Sequence, residues 1–382
     1  MKNNNQIEQI RKLLKFLHIY KLYQSIENII KTKTNLYPYY GKFKYKLGFK
    51  SQVDLEIAIT FGCNINCNYC YAKGLEKNIE PITINNFKKI LNWLKSQNKN
   101  KIRLIGGEPT NHPKIKKILN LCNKNNFKYE LVSNGIYDHK LNKYINNQNT
   151  TFVLFNYNFK NSINNKHKIL LKNIEILAKK KILIDIKYNI TKNSNNQEII
   201  KIAKKYNLNI NFSAPNLGFS NKEYINWNKN QKKISKKIVD FVKQCNQNGI
   251  FCYIGRPVPR CAFSNNNWKF LKKFAYIKSK CDITKKNSSD GGYQVIPDLR
   301  IFACANLFAT NNKQITDYKN ISEIKKEYKD YINLIRWKIP LLEKCKKCKF
   351  FLIKKCQGGC LGNKLNKIPQ FENIELIKNN IL

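Results

Sequence analysis

The sequence predicts an α/β fold: a partial (β/α)6 barrel of parallel strands followed by a small cysteine-rich C-terminal domain. Three observations predict it. Short apolar runs alternate with amphipathic segments between residues 55 and 250, polar or glycine-rich signals close the first three runs, and seven of the thirteen cysteines fall between 261 and 360. Such alternation gives parallel strands joined by right-handed crossovers, with the helices outside. Six units close most of a barrel rather than all of it.

Residues 1–50 read as a helical leader or cap, with "IEQIRKLLKFLHIY" and "YQSIENIIKT" as two short helical stretches before a Tyr- and Lys-rich connector. Residues 51–250 form the barrel. Its first strand is "LEIAIT", and a helix over 83–96 follows, where Ile84, Phe87, Leu91 and Leu94 recur at helical spacing. Strands at "IRLIGG", "KYELVSNG", "TFVLFNYN", "ILIDIKYNI" and "NINFSAP" continue the pattern, with helices at 113–123, 165–180, 196–206 and 230–247. Reactive groups in βα architectures gather at the carboxyl ends of strands. "CNINCNYC" follows the first strand, "GGEP" the second and "SNG" the third, so all three belong to one site. From 251 to 382 the chain is turn-rich and reads as a domain organised by metal rather than by an apolar core.

The formal charge is +47, from 71 basic and 24 acidic residues. A basic chain ordinarily suggests nucleic acid. Here the excess is lysine spread over every segment together with Asn, Ile, Tyr and Phe, residues of A/T-rich codons, and arginine is scarce; genome bias explains the charge and no nucleic-acid partner is expected. The charge predicts non-specific adhesion to anions at low salt. No apolar run approaches the roughly 20 residues of a membrane span, and no signal peptide opens the chain, so a cytoplasmic location without a membrane partner is expected. There the cysteines stay reduced and serve as metal ligands or buried thiols.

Cys63, Cys67 and Cys70 crowd into eight positions. Disulfides take cysteines in twos and structural zinc takes four ligands, whereas three thiolates from one loop hold three irons of a cube and leave the fourth iron open. "CNINCNYC" with "GGEPT" and "SNG" on successive βα units resembles the radical S-adenosylmethionine (radical SAM) superfamily. The resemblance implies that a 4Fe-4S cluster on Cys63, Cys67 and Cys70 transfers an electron to S-adenosylmethionine bound at the open iron. Cleavage then gives methionine and a 5'-deoxyadenosyl radical that removes a hydrogen atom from the substrate. It further implies that Gly106, Gly107, Glu108 and Pro109 form the turn receiving the methionine amine. Tyr69 lies near the adenine, Asn134 beside the site and Asn156, in "LFNYN", at the ribose. Plainer readings stand beside these: "GGEP" and "NG" as turns, His112 as a surface residue, and Cys122, Cys245 and Cys252 as buried small hydrophobes, with a ligand role still open for Cys252.

The tail reads Cys345-x2-Cys348-x7-Cys356-x3-Cys360, preceded by Cys261, Cys281 and Cys304. This resembles the SPASM extension of radical SAM enzymes, which holds auxiliary 4Fe-4S clusters, although the middle interval is two residues longer than the family's and no cysteine follows Cys360. The family's interleaved ligation, carried over, puts Cys261, Cys281, Cys304 and Cys360 on one cluster. It leaves Cys345, Cys348 and Cys356 on another that lacks a fourth thiolate. An open iron, a non-cysteine ligand, Cys252, or a single auxiliary cluster would each resolve the shortage. Alone, the four tail cysteines would also make a plausible zinc knuckle.

The function expected from the resemblance is radical modification of a peptide or protein, with flavodoxin or ferredoxin as electron donor. Sulfatase maturation is not chosen, because the Asp that those relatives carry after the cysteine here numbered 304 is Ala305. Asp290 and Asp298 are candidate bases, though both sit in turn sequences. The alternatives are radical chemistry on a small molecule such as a sugar, or a zinc-stapled nucleic-acid-binding protein.

Overall fold

The computed structural model describes residues 53–67, 69–70, 79–157, 165–191, 196–214, 227–281, 283, 293–304 and 313–365, so the helical leader expected over 1–50 lies outside the described residues. Six strands stand where the sequence places them: β1 (Leu55–Thr60), β2 (Lys101–Gly106), β3 (Lys128–Ser133), β4 (Thr150–Tyr157), β5 (Ile184–Asn189) and β6 (Asn209–Ser213). Each pairs in parallel with the next. The intervening helices are α1 (Ile84–Lys95), α2 (Ile115–Lys124), α3 (Asn165–Lys179), α4 (Asn196–Tyr206) and, after β6, α5 (Trp227–Gln247). The β3–β4 crossover is the exception, a 3-10 turn over His139–Tyr144. Its sequence, rich in Asn and broken by Gly135, has no apolar stripe long enough for an α-helix.

One device closes the helices. Asn98, Asn126, Lys181, Asn207 and Gly249 adopt positive φ just beyond α1, α2, α3, α4 and α5. The next residue returns its N–H to a carbonyl in the last turn: Lys99 to Leu94, Phe127 to Cys122, Ile182 to Leu177, Leu208 to Ala203 and Ile250 to Cys245. This is a left-handed C-terminal cap, in which asparagine replaces the usual glycine three times. In the last four cases the returning residue is apolar and buried, which anchors the approach to the next strand.

The sheet is wider than six strands. Its order is β10-β9-β1-β2-β3-β4-β5-β6-β7-β8, with β7 (Cys252–Ile254) and β8 (Ala275–Tyr276) continuing in parallel beyond β6 and α6 (Asn265–Phe274) between them. On the other edge β9 (Gln294–Val295) runs parallel to β1, and β10 (Ile301–Phe302) is antiparallel to β9. Strands of two or three residues carry no alternation that a sequence reading can detect. A further helix, α7 (Ile321–Trp337), buries Ile324, Tyr328, Ile332 and Ile335 in the same continuous core as the barrel helices. Tyr328 Oη donates to the Ile301 carbonyl at 2.7 Å, and Trp93 Nε1 of α1 donates to the Tyr318 carbonyl at 2.8 Å. Among the described residues no helix is long and apolar enough to cross a membrane.

The two faces of the sheet differ in chemistry. Ile57, Leu104, Leu131, Val153, Ile186 and Phe212 point outward into the core formed with Phe87, Ile118, Ile174 and Phe241 of the helices. The alternate positions Glu56, Arg103, Glu130, Asn156, Lys187 and Asn211 line the interior. A polar lumen inside an apolar shell positions the site.

Candidate active site

The cysteine loop leaves β1 through Phe61, which is buried, and Gly62, whose N–H donates to Thr60 Oγ1 at 3.1 Å. Cys63 is exposed and Cys67 and Cys70 are half-buried. The Cys70 N–H donates to the Cys67 carbonyl at 3.1 Å, drawing the loop into a turn. Burial pushes the Cys67 thiol up to about 12, and the neighbouring Cys70 and Cys63 push in the same direction. Three thiols in one electrostatic field favour a cation that takes up their negative charge, because metal binding deprotonates its ligands. Three soft donors on one short loop fit an iron-sulfur cluster. Among the described residues no three His, Cys, Asp or Glu side chains already converge at metal-ligand geometry.

The glycines of "GGEP" are required by close approach. A Cβ on Gly106 would lie 2.0 Å from the Thr60 carbonyl oxygen, and one on Gly107 2.2 Å from that of Phe61. Without them, Gly107 N–H reaches the Thr60 carbonyl at 2.8 Å and Glu108 N–H that of Gly62 at 2.9 Å. The end of β2 therefore fixes the start of the cysteine loop, and these two N–H groups are occupied within the protein. Pro109 opens a 3-10 turn over Pro109–Asn111 that Glu108 caps.

Glu108 is fully buried. Its Oε1 accepts from Ser133 Oγ at 2.8 Å, Thr110 Oγ1 at 2.7 Å and Thr110 N–H at 3.1 Å, and its Oε2 accepts from Asn134 N–H at 2.6 Å. Burial pushes this carboxyl up, while the donors from Asn134, Thr110 and Ser133 pull it down. Among the described residues it has no ion-pair partner. A buried carboxylate held by four donors and lacking a cation fits the ammonium of an amino acid moiety.

Asn134 ties the third signal to the first. Its Nδ2 donates to Asn64 Oδ1 at 2.7 Å and lies 3.9 Å from Cys63 Sγ, and its Oδ1 accepts from the Ile136 N–H at 2.8 Å. Asn64 Nδ2 in turn donates to the Ile136 carbonyl at 2.7 Å. The motifs after β1, β2 and β3 thus form one hydrogen-bonded unit. Tyr69 is half-buried in the cysteine loop, and Asn156 stands on the inner face of β4, in register with Lys187 of β5. His112 is buried rather than at the surface: its Nδ1 accepts from the Lys114 N–H at 3.0 Å and its Nε2 pairs with the Ile82 carbonyl at 2.9 Å. Burial lowers its pKa, and it serves as a neutral peg beneath α2. Asp298 is a turn former whose Oδ2 receives Arg300 Nε at 2.8 Å, and Asp290 lies outside the described residues.

Sequence reasoning missed the charged lumen. Arg103 Nε donates to Glu130 Oε2 at 2.8 Å and its Nη1 pairs with Glu56. Asp185 receives Tyr253 Oη at 2.8 Å and Asn209 Nδ2 at 3.0 Å. Asn156, Lys187, Asn211 and Tyr253 form one row across four strands. The signal available was alternation: "IDIKYN" and "NINFS" place a polar residue at every second position, whereas strands buried on both faces read as continuous apolar runs. Burial, then the nearby Arg256, lowers the Lys187 pKa to about 7. Its folded pKa is therefore below the unfolded value, the unfolded chain binds the extra proton between pH 7 and about 10.5, and this lysine makes stability rise with pH across that window. Urea denaturation at pH 7.0 and 9.5 should show Lys187→Met removing about 2 kcal/mol of that rise, the full shift being discounted for solvent in the lumen. Equal slopes for variant and wild type would refute this role.

In the C-terminal segment Cys345 closes a 3-10 turn over Glu343–Cys345, and Cys348 precedes α8 (Lys349–Leu352). Gly358 and Gly359 follow Cys356 with φ of 85° and 110°, and Gly358 N–H donates to Cys356 Sγ at 3.4 Å. Cys360 is buried just before α9 (Gly362–Leu365). Cys304 is half-buried after β10, and Cys261 is exposed after β7. Cys281 Sγ lies 3.5 Å from both Gln357 Nε2 and Arg336 Nη2. Cys122, Cys245 and Cys252 are fully buried small hydrophobes. Cys252 is hydrogen-bonded to Cys245 on the helix-facing side of β7, which removes it as a candidate ligand.

An open βα barrel whose first strand ends in a three-thiol loop, braced by a buried carboxylate from the second, offers soft donors that could hold a metallocofactor. Residues 57–205 match the family model described as the radical SAM superfamily. That family uses a 4Fe-4S cluster and S-adenosylmethionine. The 7-carboxy-7-deazaguanine synthase of Clostridium acetobutylicum is 28% identical over 163 residues, 42% of this chain and 71% of the relative. The GTP 3',8-cyclase of Chlorobaculum tepidum is 29% identical over 68 residues, 18% and 21% of the two chains. Streptococcus suis SuiB bound to S-adenosylmethionine superposes with a TM-score of 0.57 at 15% identity over 97% of this chain and 86% of that one. For anSMEcpe with bound AdoMet the TM-score is 0.59 at 20% identity, over 86% and 95%. At these identities the solved structures show a shared fold.

Proposed function

We propose that the enzyme generates a 5'-deoxyadenosyl radical at the cluster of Cys63, Cys67 and Cys70 and uses it to modify a peptide or protein. The C-terminal segment, a SPASM-like domain, holds one or two auxiliary 4Fe-4S clusters. When bound, the catalytic cluster supplies the electron that cleaves S-adenosylmethionine, with flavodoxin or ferredoxin as the electron source in the cytoplasm. The protein's own residues position and exclude. Glu108 takes the ammonium of the methionine moiety, Gly106 and Gly107 hold the loop against β1, Pro109 starts the turn behind Glu108, Tyr69 borders the adenine, Asn134 braces Cys63, and Asn156 faces the ribose from β4. The observation that carries the peptide reading is fold similarity, over 85% of the chain, to SuiB bound to its precursor peptide SuiA.

A second reading has its own observation. The lumen row of Asn156, Lys187, Asn211 and Tyr253 suits a small polar substrate, and the curated relatives named above are a 7-carboxy-7-deazaguanine synthase and a GTP 3',8-cyclase. Among the described residues Asn211 Oδ1 is buried without a hydrogen-bond partner, and so are both amide atoms of Gln294, beside Glu56 on the neighbouring strand. Buried unsatisfied polar groups of this kind are uncommon away from ligand sites.

Anaerobically purified protein should be brown and contain roughly eight to twelve irons. With dithionite and S-adenosylmethionine it should release 5'-deoxyadenosine, and short peptides encoded by neighbouring genes should lose hydrogen or gain a cross-link by mass spectrometry. Colourless protein with one or two zincs would overturn the enzyme assignment. Turnover of a nucleobase or sugar with inert peptides would establish the second reading.

A further inference from the structure

We infer that Cys261 supplies the fourth thiolate of the tail knuckle, making a four-thiolate cluster site with Cys345, Cys348 and Cys356. The inference rests on the auxiliary-cluster reading above and changes its ligand assignment. The loop after β7 lies directly on the knuckle. A Cβ on Gly359 would stand 3.2 Å from the ring of Pro259, and the Arg260 guanidinium sits over the Phe350 ring at 5.6 Å. Gln231 of α5 bridges the two segments, its Nε2 donating to the Cys261 carbonyl and its Oε1 accepting from Lys344 Nζ at 3.3 Å. Cys261 is thereby fastened beside the residue that precedes Cys345.

Within the knuckle, Gly358 draws two thiols together. Its N–H lies 3.4 Å from Cys356 Sγ, and a Cβ built on it would lie 3.8 Å from Cys345 Sγ. The Cys348 N–H donates to the Cys345 carbonyl at 3.1 Å, which brings the third cysteine onto the same turn. Cys281 is engaged by Gln357, which follows Cys356, and by Arg336, and Cys252 is sealed into the core with Cys245.

The charge balance fits. A 4Fe-4S cluster in its two-plus state with four thiolates carries a net charge of about minus two. Two buried cations stand beside the knuckle: Arg336, and Lys364, whose Nζ donates to the carbonyls of Ile335 at 3.2 Å and Arg336 at 2.6 Å. Buried cations need a compensating charge close by. The shortage of a fourth thiolate then passes to the other group, Cys281, Cys304 and Cys360.

The test is protection from alkylation in the full-length holoprotein, with iron content measured in parallel. Under iodoacetamide, Cys345→Ala should expose Cys261 together with Cys348 and Cys356 and leave Cys281 protected, whereas Cys281→Ala should leave Cys261 protected. Iron loss in Cys261→Ala/Cys345→Ala should equal that of either single variant, and iron loss in Cys281→Ala/Cys345→Ala should be the sum of its two. Circular dichroism of each variant identifies any that unfolds, and the Cys281→Ala arm alone still decides, because Cys261 becoming reactive there overturns the inference. Auxiliary iron with Cys261 freely alkylated in the wild type also overturns it and leaves the enzyme reading intact. A wild type holding only the four irons of the radical cluster overturns the auxiliary reading and the inference together.

Discussion

Replacing Cys63, Cys67 and Cys70 together by alanine should remove about four irons per chain and lower 5'-deoxyadenosine formation by at least ~10³-fold, while auxiliary iron remains. The reasoning is local. The three thiols lie on one loop whose path is set by Gly62, Gly106 and Gly107, and the Cys67 thiol, pushed up to about 12 by burial and its two neighbours, stays protonated until a metal displaces the proton. Removing three soft ligands leaves Asn134 and Asn64 facing one another, still hydrogen-bonded at 2.7 Å, so the barrel should retain its melting temperature within a few degrees. Iron analysis, the visible spectrum and chromatography of the nucleoside check it. A triple variant with unchanged iron and undiminished nucleoside release would move the catalytic cluster to the C-terminal cysteines.

How much of this was legible in the sequence depends on the range of the interaction. Helix α1 was legible because Ile84, Phe87, Leu91 and Leu94 share one buried face, and the cysteine loop because its donors lie within eight positions. The clustering of "CNINCNYC", "GGEP" and "SNG" followed from one topological rule, that strand ends of a parallel sheet lie at one face. The resemblance placed Glu108 at the methionine amine, but the donors that hold its carboxylate were not legible. That a carboxylate two residues past a strand should be held by Ser133, Thr110 and Asn134 depends on the register of β2 against β3, which spacing does not encode. The strands β8, β9 and β10 were hidden because two-residue ladders have no period. The fourth thiolate proposed for the Cys345 group was hidden for a similar reason: the contact of Pro259 and Arg260 with the tail is made across the fold, whereas the resemblance to interleaved ligation put Cys261 with Cys281, Cys304 and Cys360. Asparagine caps were legible in composition, yet Asn98, Asn126 and Asn207 read as loop residues until their positive φ showed each one ending a helix.

Glu108→Ala and Glu108→Gln should separate the structural and ligand-binding roles of the carboxylate. Alanine deprives four buried donors of their acceptor: the hydroxyls of Ser133 and Thr110 and the N–H groups of Thr110 and Asn134. Each buried group left unpaired costs about 1 kcal/mol or more, so a loss of about 3–5 kcal/mol in urea denaturation is expected. Glutamine keeps the volume. Its amide nitrogen, placed at Oε2, would confront the Asn134 N–H now 2.6 Å away; placed at Oε1 it meets two hydroxyls, which can rotate to accept, and only one N–H. The second arrangement wins, and the cost should be about 1–2 kcal/mol. What glutamine cannot replace is the negative charge. A charge-assisted hydrogen bond to an ammonium contributes about 1.5–3 kcal/mol, so S-adenosylmethionine should bind Glu108→Gln ~10- to 100-fold more weakly, and the thermal stabilisation it gives the wild type should shrink accordingly. Equilibrium dialysis on the reconstituted protein measures the first effect and a melting curve the second. Wild-type affinity in Glu108→Gln would mean that the carboxylate only braces the turns after β2 and β3, and that the ammonium is received by another group.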